Sequence, residues 1–183
     1  AGLGLATVGF LRAKSSEREA IAQAESARRV SGVLEEIFNV MNPGSQAGQF
    51  VSARDVLHHG AERITDALQD QPAVRAHLMS TIGGVGTNLG YFDMSERLLV
   101  EALAVQREIG NRRSEAIVLG NLANLLQARG RMELAEQHYE SALAAHREME
   151  YRHGEAITLH YLGGLHSAQG RMELARTNYE TAL

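Results

Sequence analysis

Glu115 to Leu143 reads EAIVLGNLANLLQARGRMELAEQHYESAL, and Glu155 to Leu183 reads EAITLHYLGGLHSAQGRMELARTNYETAL. Laid over one another at a spacing of 40, the two stretches agree at 17 of 29 positions. Self-similarity at a fixed period of this size marks a repeat architecture, in which each unit buries its apolar side against the next. A further step of 40 toward the N-terminus places Arg75 to Leu103 (RAHLMSTIGGVGTNLGYFDMSERLLVEAL) on the same frame. Ile82, Gly90, Leu99, Ala102 and Leu103 then fall at the matching apolar or turn positions. Three registered copies follow, at residues 72–110, 111–150 and 151–183, the last cut short.

Within one copy Leu119, Leu122 and Leu126 recur at helical spacing, Gly130 interrupts, and Ala135, Tyr139, Ala142 and Leu143 resume on a second helix. Each unit therefore reads as a helical hairpin. Gly90, Gly130 and Gly170 stand at the turn, where a positive φ is expected and glycine has no Cβ to clash. Small Ala135 and Ala175 let the paired helices approach, with Tyr139 and Tyr179 filling the layer beside them. Composition agrees. The 183 residues are 44% hydrophobic, enough for one globular unit or a short repeat array. Twenty-six alanines, two prolines and no tryptophan favour helix throughout and exclude a sheet-rich fold.

Ahead of the copies, Ala20, Ala24, Ala27, Val30, Leu34, Ile37, Phe38 and Met41 fall at steps of three and four. They predict one long amphipathic helix ending at Asn42-Pro43-Gly44. After a polar loop, Ser52 reads as an N-cap with Asp55 three residues on, opening a helix with the stripe Leu57, Gly60, Ala61, Ile64, Ala67 and Leu68. Residues 15–71 thus read as a long helix plus a divergent capping hairpin. The apolar run Ala1 to Leu11 is far shorter than the roughly 20 residues that cross a bilayer. With Arg12 and Lys14 after it, residues 1–14 read equally as the last turns of a membrane helix or as an ordinary helical end. The basic residues follow the apolar run rather than precede it, which disfavours a signal peptide.

The pattern Leu162-Gly163, Gly170, Ala175, Tyr179 and Ala182 resembles the tetratricopeptide repeat family, as do Ile82-Gly83, Gly90 and Ala102 more loosely. Ala123 stands where the family has glycine, Ser95 where it has a small alanine, and the repeat exceeds the usual 34 residues, which implies longer helices. The resemblance implies a right-handed all-α solenoid of antiparallel hairpins that binds other proteins. The whole chain is also similar to the region after the membrane helix in bacterial receptor-type serine/threonine protein kinases. That likeness rests on ARRVSGVLEEIFNVMNPG and VSARDVLHHGAERITDALQDQPAVRAHL followed by the array. It implies a cell-membrane protein with the repeats outside the cytoplasm; a regulator or cyclase carrying a similar sensor array, or a cytoplasmic protein, is the alternative. No kinase motif is present: the sequence has no His-Arg-Asp and no Asp-Phe-Gly.

Candidate chemistry is sparse. The cluster Gly83-Gly84-Val85-Gly86-Thr87-Asn88-Leu89-Gly90 has Leu89 where a dinucleotide fingerprint needs glycine, and no Gly-Lys-Ser/Thr follows it. Close helix packing explains it better. Eight histidines include no pair at i and i+4, the helix-borne zinc spacing, so no metal and no cofactor is expected. The chain lacks cysteine, which removes a thiol nucleophile, and no serine or aspartate forms a recognisable nucleophile and base. No catalytic residue is assigned. Net charge is −4 with 18 basic residues scattered among 22 acidic ones, which argues against nucleic acid.

The informative surface is the exposed side of each first helix, which the resemblance places along a concave groove. His77, Ser80, Gly84, Thr87 and Asn88 occupy it in the first copy, and Ile117, Gly120, Asn121, Asn124 and Gln127 in the second. Ile157, His160, Tyr161, Gly164 and Ser167 occupy it in the third. Asparagine carries both a donor and an acceptor, so Asn121 and Asn124 suit the backbone of an extended peptide. Relatives that clamp a C-terminal carboxylate have Lys and Arg where this chain has Ser80, Asn121, Asn124, Ile157 and Tyr161, which disfavours that ligand. The apolar face of Tyr179 and Leu183 suggests self-association through the last hairpin.

Overall fold

In the computed structural model of the protein, the structure describes residues 14, 20–21, 23–33, 35 and 52–183. Two compact units divide the chain, Ala1–Val51 and Ser52–Leu183. In the first, residues 20–21 and 23–33 are helical; Ala20, Ala24 and Ala27 are exposed and Val33 is buried. The expected helix end at Asn42-Pro43-Gly44 and the apolar run Ala1 to Leu11 lie outside the described residues, as does the segment 36–51 of the expected capping hairpin. Among the described residues no helix is long and apolar enough to cross a membrane.

The second unit is all-helical. Its elements are α1 (Ala53–Ala67), α2 (Pro72–Asn88), α3 (Phe92–Glu108), α4 (Arg112–Ala128), α5 (Met132–Glu148), α6 (Arg152–Ala168) and α7 (Met172–Thr181). They pack consecutively as a solenoid of antiparallel hairpins, α2 with α3, α4 with α5 and α6 with α7, and each first helix also touches the next first helix. α1 opens with the capping box read from the sequence. Asp55 N–H donates to Ser52 Oγ at 3.2 Å, and Ser52 N–H donates to Asp55 Oδ2 at 3.0 Å. Gly60, Ala61, Ile64 and Leu68 bury the α1 stripe, whereas Ala67, also placed on it, is exposed.

The period of 40 has a plain geometric origin. Helices α2 to α6 are 17 residues each, and three residues link each to its successor. Every link closes the same way. At the first, Gly90 N–H donates to Thr87 O at 3.1 Å and Tyr91 N–H to Gly86 O at 2.8 Å, the paired bonds that satisfy a helix's last carbonyls around a left-handed residue. Gly90, Gly110, Gly130 and Gly170 supply that residue with φ between 70° and 80°; the remaining link, between α5 and α6, uses Glu150 at φ 53°. Glycine was expected at only three of these positions. Gly110 and Glu150 join the second helix of one repeat to the first helix of the next.

Small residues set the approach of the helices within a hairpin. A Cβ on Gly83 would stand 2.7 Å from Leu99 Cγ, one on Gly86 2.5 Å from Ser95 Oγ, and one on Gly163 2.6 Å from the Tyr179 ring. The Gly83 to Gly90 cluster is therefore packing surface at Gly83 and Gly86. Tyr139, fully buried, shares a core cluster with Ala123, Leu126, Ala135, Leu143, Leu159, Leu162 and Leu165.

Charges stitch one repeat to the next. Glu115, nearly buried at the start of α4, accepts from Arg107 of α3 and from Arg112, both at 2.9 Å. Burial pushes its carboxyl up, but the two arginine hydrogen bonds outweigh that and hold it below the usual range. Forty residues on, Glu155 takes Arg147 at 2.8 Å and Arg152 at 3.3 Å in the same way. One turn before each of these links a polar side chain is buried: Gln106 first, then His146, whose Nδ1 has no hydrogen-bond partner.

Candidate functional site

The structure sorts the expected groove residues by depth. Ser80 and Thr87 are buried, and Thr87 turns its hydroxyl back to Gly83 O at 2.9 Å, the usual local bond of a helical threonine. Asn121, Asn124 and Gln127 are half-buried, and His77 and Asn88 are exposed. Thr87, Asn88, Asn121, Asn124 and Gln127 line one concave cavity of about 650 Å³, together with Gly84, Phe92 and Tyr161. His160 and Ser167 line a different one at the last hairpin, with Ile157, Met172, Tyr179 and Leu183. His77 and Ser80 border neither, so the nine expected residues do not form one site.

Neighbouring side chains orient the amides of the main cavity. Asn121 Nδ2 donates to Ser80 Oγ at 2.9 Å, a bond between α4 and α2 that spans 41 residues of sequence. That bond leaves the Asn121 Oδ1 as the acceptor for a partner. Tyr139 reaches up from α5, its hydroxyl 2.5 Å from Asn124 Oδ1 and 3.1 Å from Gln127 Oε1. Burial, with Tyr161 alongside, pushes this phenol well above its ordinary pKa, so it stays protonated and donates. Asn124 must then present its –NH2. The two asparagines, one turn apart on α4, offer an acceptor and a donor in fixed order, the pair that an extended backbone requires.

Tyr161 of α6 closes one wall. Its ring stacks on Tyr139 with centroids 6.0 Å apart and planes 6° from parallel, yet 43% of the residue is exposed. Gly84 leaves room beside the asparagine: a Cβ there would meet nothing nearer than Asn121 at 3.9 Å. Sequence spacing located this face but not the ties of Ser80 and Tyr139 to its amides.

A family model for the tetratricopeptide repeat matches residues 74–148 and 114–183. The chain belongs to the tetratricopeptide repeat family. Its solved structural neighbours include the crystal structure of BtubC (BKLC) from P. vanneervenii, at a TM-score of 0.63 and 20% identity, over 86% of this chain and 67% of that one. This likeness shows a shared helical fold. Among curated proteins none matches the chain in sequence. As a tetratricopeptide repeat array, residues 74–183 form a protein-interaction scaffold of a kind that is generally non-catalytic.

Proposed function

We propose that the concave face of α2, α4 and α6 binds an extended polypeptide segment of a partner protein and carries no catalysis of its own. The pre-ordered amides of Asn121 and Asn124, held by Ser80 and Tyr139, support this reading. The cavity has no charged side chain, so it reads peptide backbone rather than charge. Neutral hydrogen bonds contribute about 0.5–1.5 kcal/mol each, so Asn121→Ala with Asn124→Ala is expected to weaken a bound peptide by roughly 5- to 100-fold. Calorimetry with a library-selected peptide, alongside a melting curve, tests it. Unchanged affinity in a folded double variant would move recognition to another face.

A second contact has support in the apolar side chains of Ile157, Tyr161, Met172 and Tyr179, exposed over a hollow of about 860 Å³. We infer self-association there, to be checked by sedimentation: Tyr179→Ser is expected to shift a dimer to monomer, and a parent that stays monomeric at all concentrations rules it out. From the sequence resemblance we further propose that the array serves a membrane-anchored bacterial serine/threonine kinase, with residues 1–14 at the membrane edge. The upstream gene sequence tests this. A kinase domain there supports it, and a DNA-binding or cyclase domain in its place overturns it.

A further inference from the structure

The neutral groove does not end at the first turn. Gly90 and Phe92 line both the amide cavity and a second one of about 370 Å³ beside it, walled by Arg54 and His58 of α1, Tyr91, and Arg97 of α3, with Arg129 from the link after α4. Three guanidinium groups from three elements converge on this hollow. Their electrostatic situations differ. Arg129 pairs with Asp93 and with Glu96, the latter at 2.6 Å, and lies 5.8 Å from the centroid of Phe92. It is a fixed wall rather than a free charge. Arg54 packs over the Tyr91 ring at 5.1 Å. Among the described residues neither Arg54 nor Arg97 forms an ion pair, and Asp93, the carboxylate that lines the hollow, is paired with Arg129.

A guanidinium stacked on an aromatic ring loses little further freedom when an anion arrives, and its planar fork matches a carboxylate or phosphate in two parallel hydrogen bonds. The adjoining amide groove, neutral throughout, has nothing with which to discriminate charge. We propose that this second cavity takes an anionic side chain of the bound peptide, gripped by Arg54 and Arg97, and so fixes which end of the peptide lies at the first repeat. The inference rests on the peptide-groove reading above and adds the chemistry and polarity of the partner. A carboxylate and a phosphorylated side chain share that chemistry. Nucleic acid does not fit, since the site is one small hollow on a chain of net charge −4.

The test begins with selection of random decapeptides displayed on phage against the full chain. Enriched sequences are expected to hold Asp or Glu at one fixed position. In a synthetic copy of the best binder, Glu→Gln at that position is expected to weaken binding about tenfold, as for loss of one charge-assisted hydrogen bond. The Arg54→Gln, Arg97→Gln variant should bind the Glu and Gln peptides equally and hold the Gln peptide as tightly as the parent does. Both arginines are exposed, so its melting temperature should match the parent's. A phosphoserine copy that binds more tightly than the Glu peptide identifies phosphate as the anion; weaker binding identifies carboxylate. Enriched peptides without an acidic preference, weakened by Asn121→Ala with Asn124→Ala, would overturn the anion site and leave the groove standing. No enrichment from a folded chain would overturn both.

Discussion

Tyr139→Phe removes one oxygen atom that never touches a bound peptide, and it should still weaken peptide binding. The ring remains, so the core around Ala123, Leu126 and Leu159 keeps its volume and no cavity opens. What disappears is the donor that holds Asn124 Oδ1 at 2.5 Å and lies 3.1 Å from Gln127 Oε1. Both amides are half-buried and can turn to water, so the loss sits near the middle of the usual range, about 1 kcal/mol. For a chain of this length that corresponds to a fall of roughly 2–4 °C in Tm. Asn124, the amide offered to the peptide, then has to be ordered by the ligand at about 0.5–1.5 kcal/mol, which predicts a loss of roughly twofold to tenfold in affinity. Scanning fluorimetry and calorimetry on the same preparation read both numbers. Tyr139→Ala is the contrast, expected to cost about 3–5 kcal/mol through the cavity it opens. If Tyr139→Phe leaves both melting and binding unchanged, the phenol does not order the groove. A loss as large as that of Tyr139→Ala would mean that the hydroxyl is a core element and not a groove one.

Gly120→Ala meets no atom within 4 Å and should stabilise the chain by about 0.5–1 kcal/mol in thermal melts, while Gly83→Ala, with its new Cβ 2.7 Å from Leu99 Cγ, should destabilise it or at best break even. Glu150 holds a left-handed conformation at φ 53° that costs a side-chain-bearing residue about 1–2 kcal/mol, so Glu150→Gly, after glycine's own entropic loss, should raise stability by roughly 0.5–1 kcal/mol in urea unfolding. Burial, reinforced by Arg113 against the weaker pull of Glu155, lowers the His146 pKa, and burial with Arg107 does the same for His138. The unfolded chain then binds protons that the folded one refuses, so stability is complete above about pH 6.5 and declines as pH falls below it. His146→Gln, which copies Gln106 one repeat earlier, should flatten that decline, and an unchanged pH profile by chemical unfolding would refute the assignment.

The hairpins were legible because their signals are local. Leucines at steps of three and four with a glycine between the two helices of each copy need only the helix period and the left-handed turn. Ser52 and Asp55 announced α1 for the same reason. Glu150 was not legible, since nothing in glutamate marks a left-handed residue; only its place forty residues after Gly110 does. The face of the groove followed from the repeat frame, but its chemistry did not. Ser80 and Asn121 meet across 41 residues, and the frame cannot say that one neighbour spends the other's hydrogen bond. Arg54, Arg97 and Arg129 stand far apart among acids in the sequence and looked like dispersed surface charge. Folding puts them on a single hollow.

The identical closure of every link also governs how such a chain can change in length. A tandem copy of one forty-residue unit, cut at any phase, hands its neighbours a helix of the right length, the right turn and the right next partner, so gain or loss of whole units leaves each surviving junction intact. A deletion of twenty residues would keep every turn and still fail. It would set the face that carries Tyr139 where the face of Asn121 belongs and leave both without their counterparts. Change in length is therefore tolerated in steps of a full hairpin, the unit in which the last two copies share 17 of 29 residues.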